Sequence, residues 1–167
     1  MKGLFPLNIK IGQIQGVISI LKEYNGEISL QKLSDEALEQ ADDLVNILQA
    51  CKLLGFIKIN KGKIKLNKKL EEKNFHEINA EIKKNLLKME PFIEITKAIR
   101  KNNNITTTEL FQDLIRKGVI TYRDNLSGIE AFKRDLLVIG IRLEILTYDH
   151  ENDIWKIPSK KGSLGKD

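Results

Sequence analysis

Few residues in this 167-residue chain have the types and spacing that chemistry demands. A phosphate-binding loop needs four residues between its first glycine and a Gly-Lys pair, then Ser or Thr for magnesium, so that backbone amides can cradle the phosphates. The nearest approach, Gly162-Ser163-Leu164-Gly165-Lys166-Asp167, has the wrong spacing and the wrong last residue. His76 and His150 are the only histidines, and neither has His, Cys or carboxylate neighbours at metal-ligand spacing. Asp149, Glu151 and Asp153 have the chemistry for a hard cation, but the same acids also serve to keep a hairpin tip soluble. Neither a Gly-x-Ser-x-Gly run nor a Ser/His/Asp ordering occurs. The reading is a protein with no catalytic residues, metal ligands or cofactor, and so not an enzyme.

Charge is more informative. From Lys58 to Lys73 there are seven lysines against Glu71 and Glu72, so this one stretch holds the +5 of the whole chain. Lys58, Lys61, Lys63, Lys65, Lys68 and Lys69 are candidate contacts for nucleic acid or an acidic partner. Lysines there would neutralise phosphates and release counterions without reading sequence. The competing reading is a solvated hairpin whose lysines blunt an exposed sheet edge.

The elements that must position these residues are legible from periodicity. A first helix runs from Ile11 to Tyr24, with Ile14, Val17, Ile18 and Leu21 at spacings of three and four, and Asn25-Gly26 ends it. Ile28 reads as a single strand residue feeding the N-cap Ser29, and Leu30, Leu33 and Leu38 mark a short second helix. A third helix, Ala41 to Leu54, places Ala41, Leu44, Val45, Leu48 and Cys51 on one face, with Gly55 as its left-handed cap. Phe56 to Asn60 and Lys63 to Leu66 then flank Lys61-Gly62 as a β-hairpin.

The same order returns. A helix from Pro91 to Lys101 leads to Ile105, the counterpart of Ile28, and Thr106 with Glu109 forms a capping box for a helix bearing Leu110, Phe111, Leu114 and Ile115. Ser127 with Glu130 reads as a second capping box, opening a helix that runs to Ile139 and ends at Gly140, the counterpart of Gly55. Ile141 to Tyr148 and Asp153 to Ile157 read as a second hairpin. An insertion around Gly118 to Leu126 accounts for the longer second copy.

The expected fold is therefore mainly α with small β-wings, two winged helix-turn-helix units in tandem. Residues 9–70 form the first unit, 71–90 a connecting helix, 91–157 the second unit and 158–167 a frayed tail. Phe75, Ile78, Ile82, Leu86 and Met89 give the connecting helix a narrow apolar stripe, which either packs on its own units or joins two copies. A composition 41% hydrophobic and 31% charged with three prolines fits a folded, helix-rich protein. The single cysteine, Cys51, excludes an internal disulfide and fits a buried thiol in a reducing cytoplasm. No apolar run approaches the roughly 18 residues that span a bilayer, so no membrane insertion is expected.

Winged helices suggest DNA, but the charges on the would-be recognition helices argue against a groove reader. The first carries Asp42, Asp43 and Lys52, with both acids at the end that would enter the groove; the second carries Glu130, Lys133, Arg134 and Asp135, which sum to zero. Asp42 and Asp43 are instead candidate partner-docking residues.

Asp42-Asp43-Leu44-Val45, Ala50 to Phe56 and Gly62 to Leu66 resemble the AAA-associated C-terminal domain family. The likeness continues through Glu90-Pro91-Phe92-Ile93 to Gly140, Glu144 and Tyr148-Asp149. The family's aromatic-Gly-Arg sequence before the last wing is replaced by Ile139-Gly140-Ile141, so any role of that aromatic and arginine is not carried over. In the family the domain follows the ATPase of nitrate/sulfonate/taurine-type ABC transporters. The resemblance thus implies a regulatory or docking module for such an ATPase, here as a separate polypeptide, with a DNA-binding regulator acting through the lysine hairpin as the alternative. It adds no cofactor, and a small molecule held between the halves has no polar constellation behind it.

Overall fold

In the computed structural model of the chain, residues 3–37 and 39–159 are described. The second-helix residue Leu38, residues 160–167 of the tail and the Gly162 to Asp167 run lie outside them. The protein is mainly helical with small antiparallel sheets, and its contacts divide it into two units, Met1–Leu86 and Leu87–Asp167.

The first unit is built on α1 (Ile11–Glu23). Its stripe of Ile11, Ile14, Val17, Ile18 and Leu21 is buried and faces α3 (Ala41–Leu53), α4 (Phe75–Leu86), β1 (Glu27–Ser29) and β3 (Lys63–Leu66). Ser29 caps α2 (Leu30–Glu36) by accepting from the Lys32 amide. β2 (Ile57–Asn60) completes a three-stranded sheet in the order β1-β3-β2, with Ile28 opposite Ile64 opposite Ile59. Gly55, at φ 77°, ends α3: its amide donates to Lys52 O and that of Phe56 to Cys51 O, a Schellman closure that suits a residue without Cβ.

Two positions on α3 depart from the sequence reading. Ala41 and Val45 are exposed, Val45 at 65%, and Ile47 takes their place in the core beside Leu44, Leu48 and Cys51. The buried stripe is centred on 44, 47, 48 and 51, and Val45 stands about 100° around the helix from Leu44, which turns it to solvent.

α4 is fixed to its unit by polar as well as apolar contacts. The buried Gln15 donates through Nε2 to Phe75 O at 3.0 Å and Asn79 Oδ1 at 2.8 Å, and Asn85 Nδ2 donates to Leu54 O at 2.9 Å. Of the apolar stripe read as either packing on its own units or joining two copies, Ile78, Ile82, Leu86 and Met89 are buried and Phe75 is 47% exposed.

The second unit contains α5 (Phe92–Lys101), α6 (Thr107–Arg116), α7 (Leu126–Leu136) and a two-stranded hairpin, β4 (Thr147–Asp149) with β5 (Ile154–Lys156). Phe92, Phe111, Phe132, Leu136 and Trp155 are fully buried. The Thr106–Glu109 capping box forms as expected. Ile105 accepts from the Trp155 amide at 3.1 Å, and Thr106 bridges Ile154, so a single bridge stands where the first unit has a strand.

Three expectations for this unit are corrected. The cap of α7 is Asn125, whose Oδ1 accepts from the Gly128 amide at 2.8 Å, and not Ser127. Gly140 does not end the helix. It lies inside a π-helical turn, Leu137–Ile141, and the left-handed cap is Glu144 at φ 57°, whose amide donates to Ile141 O while that of Ile145 donates to Gly140 O. Consequently Ile141 to Leu146 is not strand. Leu143, Ile145 and Leu146 are buried at the helix exit, so the β-branched apolar run serves the core and not a ladder.

Candidate interaction surface

The lysine hairpin is closed by Lys61-Gly62 at φ 50° and 76°, the two left-handed residues of a type I′ turn. Because side chains alternate along a strand, Ile28, Ile64 and Ile59 share one face, on which Ile28 and Ile64 are buried and Ile59 is 38% exposed, and Lys58, Lys63 and Lys65 share the opposite face. Lys65 stands between Lys58 on β2 and Glu27 on β1. Lys61 is at the turn, and Lys68 and Lys69 lie on a 3₁₀ turn, Lys68–Leu70, capped by Asn67 Oδ1 accepting from the Lys69 amide at 3.0 Å. Asn67 also ties this turn to the end of α3 through Nδ2 to Gly55 O at 3.1 Å.

All six lysines are exposed, and among the described residues none makes an ion pair. Ile57, Lys58, Lys65 and Lys68 line part of a groove of 350 Å³ where β2, β3 and the turn after β3 meet. The structure thus brings Lys58, Lys65 and Lys68 to one concavity. Lys61 and Lys69 do not line it, and neither does Lys63.

Asp42 and Asp43 are exposed in the first turn of α3, where the helix dipole favours acids. Along the same solvent face follow Val45, Asn46, Gln49 and Lys52. This face is apolar and polar with acid at its leading end. In the second unit Asp135 turns away from solvent to accept the Tyr122 hydroxyl at 2.6 Å, while Arg134 stays 73% exposed.

The other candidate groups are placed as follows. His76 is exposed on α4, and His150 sits in the β4–β5 turn with its ring 4.7 Å from that of Tyr148. Cys51 is fully buried, and burial pushes its thiol up to about 12. Asp149 organises the hairpin turn by accepting from the Glu151 and Asn152 amides and from Asn152 Nδ2. Among the described residues no three His, Cys, Asp or Glu side chains converge.

Asp153 belongs to a polar cluster that sequence reasoning missed. Trp155 Nε1 donates to Thr107 Oγ1 at 2.9 Å, and that hydroxyl donates onward to Asp153 Oδ1 at 2.5 Å. Tyr148 donates to the same oxygen at 2.6 Å, and the Thr107 amide to Oδ2 at 3.3 Å. Burial works to raise the Asp153 carboxyl, but the hydrogen bonds from Thr107 and Tyr148 and the nearby Lys133 together hold it below the ordinary carboxylate range. Thr107 and Asp153 are far apart in the sequence, and no spacing announces the pair.

A family model described as the C-terminal AAA-associated domain matches residues 31–131, from α2 through the lysine hairpin and into α7. The chain belongs to this family. The AAA-associated match takes in the lysine hairpin and Asp42 and Asp43, and stops before β4 and β5. No curated protein matches the chain. Family membership places the protein among accessory domains associated with AAA-type ATPases. Among the described residues no helix is long and apolar enough to cross a membrane.

Proposed function

We propose that this AAA-associated protein is a non-catalytic, cytoplasmic accessory module that docks on an ATPase of the ABC-transporter type. Each unit is read as a winged helix-turn-helix, with α3 and α7 in the recognition position and the hairpins as wings. The observation that carries the docking reading is the solvent face of α3. Val45 is 65% exposed between Asp42 and Gln49, a combination that repels phosphate and suits a protein surface. Co-expression with an ATPase of the nitrate/sulfonate/taurine type tests it. A stable complex that Val45→Asp weakens is expected, and purification of the two proteins apart at low salt would overturn the reading.

One observation favours a second reading, a DNA-binding regulator. Lys58, Lys63 and Lys65 share one sheet face, a geometry suited to a phosphate backbone. If all six lysines engage phosphates, affinity for a mixed-sequence duplex falls about 10³-fold between 50 and 200 mM salt. Fluorescence anisotropy that detects no low-salt binding removes this alternative.

A further inference from the structure

The sheet of the first unit has an open edge, and the atoms on that edge can be assigned. Antiparallel ladders alternate bonded and non-bonded pairs. The Asn67 amide donates to Phe56 O at 2.8 Å, so the bonded pairs that follow are Lys58 with Lys65 and Asn60 with Lys63. On the other side of β3, Leu66 N donates to Gly26 O and Leu30 N to Gly62 O, which is the complementary phase. The amides and carbonyls of Ile57 and Ile59 therefore point away from β3, to the side where, among the described residues, the sheet has no further strand.

The charges beside that edge are unbalanced in a particular order. Across the sheet from β1 to β2 the row reads Glu27, Lys65, Lys58: negative, positive, positive, then nothing. Like charges directly opposite one another on a ladder are unfavourable. Neither Lys58 nor Lys65 has an acidic ion-pair partner among the described residues to offset this. A carboxylate arriving on the open side of β2, opposite Lys58, would complete the row. The groove that Ile57 and Lys58 of β2 share with Lys65 and Lys68 adjoins that position and leaves room for a second acid two residues along.

We infer that the open edge of β2 accepts an extended acidic segment of a protein partner as a fourth strand, with one carboxylate opposite Lys58 and another over the groove by Lys68. This deepens the docking reading and rests on it, the ATPase being the protein that carries the segment. A nucleic acid answers half of the surface. Its phosphates would meet the lysines, but it has no peptide backbone to pair with Ile57 and Ile59, whereas a strand satisfies both edge and charge.

Calorimetric titration of the full chain with a synthetic eight-residue peptide of alternating Glu and Thr is the test. Two N-methylated copies, each blocked on one alternate set of amides, accompany it, and a mixed-sequence duplex is the comparison. Binding is expected for the unmodified peptide and for one methylated copy, with a loss of about tenfold or more for the copy whose blocked amides face β2. Lys58→Glu should weaken the peptide about tenfold. Ile59→Pro removes only a donor on the open side, a position where an edge strand tolerates proline, and should weaken it similarly. The methylated peptides keep the test valid should that variant not fold. No peptide binding at low salt, equal binding of both methylated copies, or binding of the duplex alone would each overturn the inference. An ATPase complex undiminished by Ile59→Pro would overturn it while leaving the docking reading intact.

Discussion

The two hairpins occupy the same place in the element order and do different work. In the first unit the hairpin joins a three-stranded sheet, its core side is carried by isoleucines, and its polar side chains point outward. In the second, the hairpin has two strands and one bridge, and Asp153 gathers Thr107, Tyr148 and, through Thr107, Trp155, while Thr147, His150, Glu151, Asn152 and Lys156 stay exposed. The first unit closes its sheet with a backbone ladder and frees its side chains for contact. The second lacks that strand and closes the same junction with side chains.

On that contrast the second unit is the more fragile, and single changes there should show it. The largest effect is expected at Gly128. A Cβ at this position would lie 1.8 Å from Arg123 O, a backbone atom that Asn125 and the start of α7 hold in place. Gly128→Ala should therefore destabilise the second unit by about 4 kcal/mol or more. Trp155 is the only tryptophan and is buried there, so the midpoint of its fluorescence change in urea reads this unit by itself. An unchanged midpoint would mean that the approach of Arg123 and α7 is not needed for folding.

Next in size is the Asp153 cluster. Asp153→Asn leaves one acceptor oxygen for three donors, and a loss of about 1–3 kcal/mol is expected by the same fluorescence. The pH dependence follows from the sign of the shift. The folded carboxyl is held below its unfolded value, so its stabilisation is present above the ordinary carboxylate range and is lost as pH falls through the lower, folded value. The wild type should thus lose stability on acidification more steeply than Asp153→Asn when both are followed at Trp155. Parallel curves would remove the carboxylate from the account.

The caps allow a smaller comparison between the units. Gly55 and Glu144 fill the same Schellman position, one without a side chain and the other with one. A Cβ on Gly55 would meet nothing within 4 Å, so Gly55→Ala tests left-handed strain alone and should cost about 1 kcal/mol. Hydrogen exchange of α3 amides measures it. A cost of several kcal/mol would mean that the first helix exit is more constrained than its open surroundings indicate.

These positions also show what the sequence could and could not reveal. The stripe on α1, the Ser29 and Thr106 caps and the Lys61-Gly62 hairpin were legible because each depends on residues three or four apart, or on a two-residue turn. The exit of the last helix was not. Gly140 looks like a cap, but the chain spends a π-helical turn there and closes on Glu144, a residue type that carries no turn signal. Val45 was misplaced because a β-branched residue next to Leu44 fits an apolar face by type, and only the helix phase turns it outward. Among candidate contacts, the lysines were legible as charge, while the grouping of Lys58, Lys65 and Lys68 around one groove depends on strand register and the Asn67 turn.

The smallest predicted effect on stability bears most directly on the contrast between the hairpins. Lys58 and Lys65 are directly opposite on a bonded pair, and among the described residues no strand stands on the open side of Lys58 and no acid forms an ion pair with it. Replacing Lys58 by Glu turns a repulsive neighbour into an attractive one and should stabilise the first unit by a few tenths of a kcal/mol, the scale of a cross-strand charge pair at an exposed site. The gain should shrink as salt is raised, since both side chains are solvated. A structural hairpin would simply benefit from the change, and docking would be unaffected. A contact surface should show the opposite trade, a slightly higher melting temperature together with a weaker acidic ligand. Thermal unfolding at low and high salt, set beside the peptide titration of the same variant, separates the two. Higher stability with unchanged binding would place the first hairpin with the second, as scaffold and not surface.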